Sequence, residues 1–85
     1  MRVRVLIFGP YAAAHGAAHI DLDLPDSPAP DASALMRALA ASPASAAISP
    51  MLEGARLAVN HAFAAHDQPI HPHDEFALIG LVSGG

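Results

Sequence analysis

The sequence predicts an α+β domain: a mixed sheet with one main helix across one face. Three observations predict it. Segments 2–8 and 19–24 alternate apolar and polar residues at the two-residue period of a half-buried strand. Segment 32–41 places its large apolar residues at helical spacing and contains no Gly, Pro or β-branched residue. Segment 75–81 alternates again. The order read along the chain is strand, strand, helix, strand, short strand, strand, with no internal repeat and no linker.

In the first strand Val3, Val5 and Ile7 share one face, and Arg2, Arg4, Leu6 and Phe8 the other. Gly9-Pro10 ends it. The Ala- and Gly-rich stretch from Tyr11 to Ala18 reads as a loop or a short helical turn. A strand follows with Ile20, Leu22 and Leu24 facing inward. Pro25 to Pro30 forms a breaker cluster, and Asp31 stands where an N-cap belongs, ahead of a helix from Ala32 to Ala41. Leu35, Met36 and Leu39 form its apolar face, and Ser42-Pro43 stops it. Residues 44–54 are ambiguous, with Met51 and Leu52 expected to close the core. Leu57 to Val59 is a short strand. Asn60-His61 is a turn, since Asn tolerates positive φ, and Ala62 to Ala65 is a brief return strand. Ile70 is expected to tuck into the core from a polar loop. In the last strand Phe76 and Leu78 face one way, and Ala77, Ile79 and Leu81 the other. Residues 1–81 are thus read as the domain and 82–85 as a flexible tail.

Composition excludes several functions. The chain has 85 residues, and 20 of its apolar residues are Ala. A domain of this size buries roughly 60–65% of the surface its unfolded chain exposes, too little for both a core and a deep catalytic cavity. It reads as non-catalytic alone: a carrier, an adaptor or a subunit. Four Arg, no Lys and eight acids give a net charge of −4. That is a poor match for nucleic acid and favours protein partners with basic surfaces. There is no Cys, which excludes disulfides and thiol catalysis. The apolar run after Arg2 and Arg4 is shorter than the roughly 7–15 residues of a signal segment, and no stretch has the roughly 20 of a membrane span. A cytoplasmic location and no membrane partner are expected.

The chain closes on Val82-Ser83-Gly84-Gly85. Two residues without Cβ make a thin thread that can enter a narrow channel and present a carboxylate. A carboxylate becomes a useful acyl electrophile once adenylated, and sulfur can then replace AMP to leave a thiocarboxylate. Terminal Gly-Gly alone is common, so the context carries the reading. Val3 to Gly9, the helix around Ala34 to Leu39, Ala58-Val59-Asn60, Asp74 to Ile79 and the terminal Val82-Ser83-Gly84-Gly85 together resemble the molybdopterin synthase small subunit, the MoaD-type sulfur carrier of the ubiquitin-like β-grasp fold.

That resemblance implies a carrier whose Gly85 is adenylated by an E1-like adenylyltransferase using ATP, with no stably bound cofactor. A sulfur-donor enzyme then loads the carboxyl as a thiocarboxylate. Val82, Ser83 and Gly84 insert into the large synthase subunit, in a heterotetramer, where sulfur passes to cyclic pyranopterin monophosphate for the molybdenum cofactor. It also implies that Phe63 joins the partner contact. Alternatives are a thiamine-type or other sulfur carrier of the same fold, and a β-grasp interaction module without chemistry. Members often carry Pro-Pro where this chain has Gly80-Leu81, which predicts a more flexible tail exit. They often carry Gly where it has His73, which predicts modest strain if that turn is left-handed.

Parity supports a partner role on its own. Leu6 and Phe8 lie opposite the core positions of the first strand, as Ile79 and Leu81 do in the last. If the two strands are neighbours, these residues make an exposed apolar patch beside the tail, and such patches tend to be interfaces. The competing reading is that residues 14–18 or the Met51 region fold over them. His71-Pro72-His73-Asp74 offers two imidazoles without a third ligand at a fixed spacing, so no metal is expected. Asp67, Asp74 and Glu75 read as loop charge rather than catalytic acids.

Overall fold

The computed structural model of the chain describes residues 1–80. Five strands form one sheet: β1 (Arg2–Leu6), β2 (His19–Asp23), β3 (Ala55–Val59), β4 (Ala62–Phe63) and β5 (Phe76–Gly80), in the order β2-β1-β5-β3-β4. The central pair β1 and β5 runs parallel, with Val5 beside Phe76 and Leu6 beside Ala77. The remaining pairs are antiparallel. A parallel pair demands a crossover connection, and the chain between β2 and β3 supplies it with α2 (Ala32–Ala41) and two short 3₁₀ helices, Pro43–Ser45 and Ser49–Gly54. This is the β-grasp architecture. It ends β5 between two other strands, in the middle of the sheet.

Helix α2 has the predicted limits. Asp31 is extended and its Oδ1 accepts from the Ala34 N–H at 2.8 Å, satisfying one of the donors that a helix start leaves free. Leu35 and Leu39 are fully buried, whereas Met36 only leans on the core. Beneath them lie Val3, Val5 and Ile7, Ile20 and Leu22, Leu57 and Val59, and Phe76 and Leu78, all buried on the inner sheet face. Ile70 joins them. Full burial of each such side chain contributes roughly 1.5–3 kcal/mol.

Three segments differ from the sequence reading. β1 ends at Leu6, not Phe8, because Gly9 turns the chain with φ +53 and Pro10 starts a helix, α1 (Gly9–His15). So the described residues form two α-helices. Gly16 closes α1 in the left-handed conformation, its N–H donating to the Ala12 carbonyl at 2.8 Å. Residues 44–54 are the 3₁₀ pair. There Ile48, not Met51 or Leu52, is fully buried, and the buried Ser45 Oγ donates to the Leu39 carbonyl at 2.6 Å, sealing the end of α2. β3 begins at Ala55, two residues early, because Ala55 and Arg56 pair with Gly80 and Ile79. His73 carries no left-handed strain; among the described non-glycine residues that conformation falls on Asn60 (φ 51) and His61 (φ 71).

Candidate functional site

Helix α2 and the 3₁₀ pair cover the inner face of the sheet, which leaves the outer face open. Side chains alternate across a sheet, so the strand register fixes what this surface displays. One row runs Phe63, Ala58, Ala77, Leu6, His19, each beside the next on adjacent strands. In the next row Arg56 pairs with Ile79, and Phe8 lies just beyond the end of β1. Ala58 and Ala77 make a flat floor between larger neighbours. Phe8 and Phe63 stand up from it, 55% and 51% exposed, the two exposed large hydrophobic residues among those described. Leu6, Phe8, Ile79 and Phe63 wall a concavity of about 540 Å³.

Of the contact residues expected from sequence, Phe8 and Phe63 are therefore freely exposed and the parity of Phe63 is outward. Ile79 is half-buried rather than exposed, held between the Phe8 side and the β3 edge of the patch. Met51 approaches from the second 3₁₀ helix and shares a neighbouring hollow with Phe8, Ile79 and Gly80, but it does not close over Phe8. Arg56 was not singled out from the sequence. Its guanidinium sits 4.5 Å from the Phe63 ring centroid, a cation–π contact that fixes the ring upright. The sequence signal for it was the outward parity of Arg56 in a strand that starts earlier than expected.

Charge rims the patch. Arg4 pairs with Asp21 at 2.8 Å and Arg2 with Asp23 at 3.3 Å, each across directly opposed positions of β1 and β2. The hydrogen bond from Arg4 holds the Asp21 carboxyl below its ordinary value and raises the Arg4 guanidinium in turn. Both arginines are largely exposed, so these pairs add little to stability. On the opposite rim His61 Nε2 lies 2.8 Å from Glu75 Oε2.

The Val-Asn and Asp-Glu signatures turn out to be one clasp. Asn60 Nδ2 donates to Asp74 Oδ1 at 3.0 Å, and Asn60 Oδ1 accepts from the Glu75 N–H at 2.9 Å. The Asn60 N–H donates to the Glu75 carbonyl at 2.8 Å. Asp74 Oδ2 accepts from the His71 N–H at 2.8 Å. The amide of Asn60 is the main cause that holds Asp74 below its ordinary carboxyl range, with the His71 N–H and imidazole adding to it. This clasp ties the β3–β4 turn to the start of β5, on the strand pair that sets Ala58 between Phe63 and Ala77. Asp74 and Glu75 are thus positioned for structure, not as paired catalytic acids. His71 and His73 stack with ring centroids 5.8 Å apart, and no group of three or more His, Asp or Glu gathers among the described residues.

β5 delivers the chain to the edge of the patch at Gly80. Leu81, Val82, Ser83, Gly84 and Gly85, which the sequence assigns to partner contact, tail insertion and acyl chemistry, lie outside the described residues. Gly80 is paired with Ala55 and packs against Tyr11, a residue the sequence reading left unassigned. A larger groove of about 710 Å³ runs between α2 and β3. None of the residues expected at the site lines it. Among the described residues no helix is long and apolar enough to cross a membrane.

A family model described as the ThiS family matches residues 5–85. No curated protein matches the chain. Among solved structures it is similar to SAMP1 from Haloferax volcanii, at 20% identity and TM-score 0.80, with all of both chains covered. It is similar also to a chain of the complex of subunits 1 and 2 of molybdopterin-converting factor from Helicobacter pylori, at 21% identity and TM-score 0.67, again with all of both chains covered. At these identities the structural likenesses establish the fold.

Proposed function

The chain belongs to the ThiS family, the ubiquitin-like sulfur carriers, and on that footing we propose that it is the small subunit of a molybdopterin synthase. The observation that carries the reading is the outer apolar patch around Phe8, Ile79 and Phe63, placed where β5 hands over the chain that ends in Gly84-Gly85. In this reading that surface takes the partner, and Gly80, the last described residue of β5, lies beside Phe8 and Ile79 at its edge. The similar H. pylori structure holds subunits 1 and 2 together, which supports a large-subunit partner for this chain.

In this reading the Gly85 carboxylate attacks the α-phosphorus of ATP on an E1-like enzyme, and pyrophosphate leaves. Sulfide-level sulfur, released as HS⁻ by a donor enzyme, attacks the acyl carbon, the acyl–phosphate C–O bond breaks and AMP leaves, giving the thiocarboxylate and a proton. The large subunit binds the patch, receives the tail and directs the sulfur to cyclic pyranopterin monophosphate. Similarity to a small archaeal modifier protein favours a second reading, in which the same activated carboxyl acylates an amine of a target protein.

The deciding experiment gives the thiocarboxylate-loaded chain to its large subunit with cyclic pyranopterin monophosphate. Dithiolene product is expected, with a much lower yield from an equally loaded Phe8→Asp chain, since a charge in the middle of an apolar contact is costly. If wild type yields no product while another thiolated acceptor or a protein conjugate forms, the synthase assignment is wrong.

A further inference from the structure

Gly80 is the last described residue of β5, and the ring of Tyr11 lies against it. A Cβ placed on Gly80 would sit 3.0 Å from Tyr11 Cε2 and 3.2 Å from its hydroxyl oxygen, closer than ordinary van der Waals contact. The missing side chain at position 80 is thus what allows the ring to close on the backbone there. Tyr11 is itself held: only 7% exposed, it belongs to the core cluster, in the first turn of a helix whose entry is fixed by the positive φ of Gly9 and by Pro10.

We propose that Tyr11 is a positioning residue for the end of β5, its ring bearing on Gly80 and holding the backbone there, at the residue that precedes the terminal segment. The purpose of this contact rests on the sulfur-carrier reading above; the contact itself does not. Glycine has the most backbone freedom to lose. Pairing with Ala55 holds one side of Gly80, and the ring seated on it removes the freedom that remains while the domain folds, before any partner is met. Less then remains to be ordered when the tail enters a partner's channel, which is how preorganisation speeds a positioned reaction. Gly80, expected from sequence to loosen the exit, is in this account half of a matched pair with Tyr11.

The test compares wild type with Tyr11→Phe, which keeps the ring, and with Tyr11→Ala, which removes it. Tyr11→Leu serves as a second ring-free variant that refills the core should the Ala chain not fold. The first readout is the ¹⁵N order parameter of the Gly80 amide, which needs no sulfur chemistry. It should stay near about 0.85 in wild type and Tyr11→Phe and fall below about 0.6 without the ring, while Leu78 is unchanged. The second is single-turnover sulfur transfer from thiocarboxylate-loaded chain to the large-subunit complex, alongside the dissociation constant of that complex. Freeing one residue's backbone should slow transfer about tenfold. The dissociation constant should rise by no more than the same factor, because the patch is intact and only the ordering on entry has changed, and Tyr11→Phe should match wild type. A Gly80 amide that stays rigid without the ring overturns the proposal, as does an unchanged transfer rate in a chain whose Gly80 has loosened. If wild type carries no sulfur at all, it is the carrier reading that falls, and the order parameters still decide the contact.

Discussion

Asn60 does two things that few side chains do together. Its backbone holds φ 51, a left-handed conformation that Asn accepts more readily than most residues, and its amide bonds Asp74 on one side and the Glu75 N–H on the other. Asn60→Ala should cost about 1–3 kcal/mol in denaturant unfolding, since it strains the turn and leaves two polar partners short of a hydrogen bond. The pH dependence has a definite sign. Asp74 is depressed below its ordinary carboxyl value, first by Asn60. Its contribution is therefore complete above that ordinary value, about 3.9, and is lost as pH falls through the lower, folded-state value. Asp21 is depressed by Arg4 and adds to the same window. Stability curves measured from neutral pH into this acid range should fall more shallowly in Asn60→Ala than in wild type. Parallel curves would mean that the Asn60 amide does not set the Asp74 titration.

At the scale of elements, helix α2 depends on its cap more than on charge, since it has no acidic residue in its first turn and no basic one in its last. Asp31→Ala should destabilise the domain by about 1 kcal/mol while leaving the outer sheet face unchanged, measurable as a shift in urea midpoint at constant slope. This helix was legible because its signals are local: a cap residue, a clean apolar stripe and a proline stop. The strands facing the core were legible for the same reason. Helix α1 was not. Its Ala-rich run has only one large apolar residue, Tyr11, so no stripe announces it, and the Gly9 turn that starts it is a matter of φ rather than composition. The 3₁₀ pair escaped because Ile48, between its two turns, is the one fully buried apolar residue of the segment, and one residue makes no period. The clasp residues were visible as a resemblance, but the bond from Asn60 to Asp74 spans 14 positions and no local pattern encodes it.

The whole molecule has two unlike sheet faces, one packed under helices and one left with an apolar centre and a charged rim. That division was readable from the parity of Leu6, Phe8 and Ile79 once β1 and β5 were taken as neighbours. The degree of exposure was not, since Ile79 is sheltered by residues on strands whose order the sequence alone leaves open. In the proposed reading the transferable sulfur is carried at the Gly85 carboxyl, since the sequence has no Cys to carry it. Intact-mass spectrometry tests that claim most directly. Wild type incubated with ATP, its adenylating partner and a sulfur donor should become heavier by one oxygen-for-sulfur exchange, mapped by fragmentation to Gly85, and a chain extended beyond Gly85 should not change. An unchanged wild-type mass under these conditions, or an extended chain that gains sulfur equally well, would contradict the account.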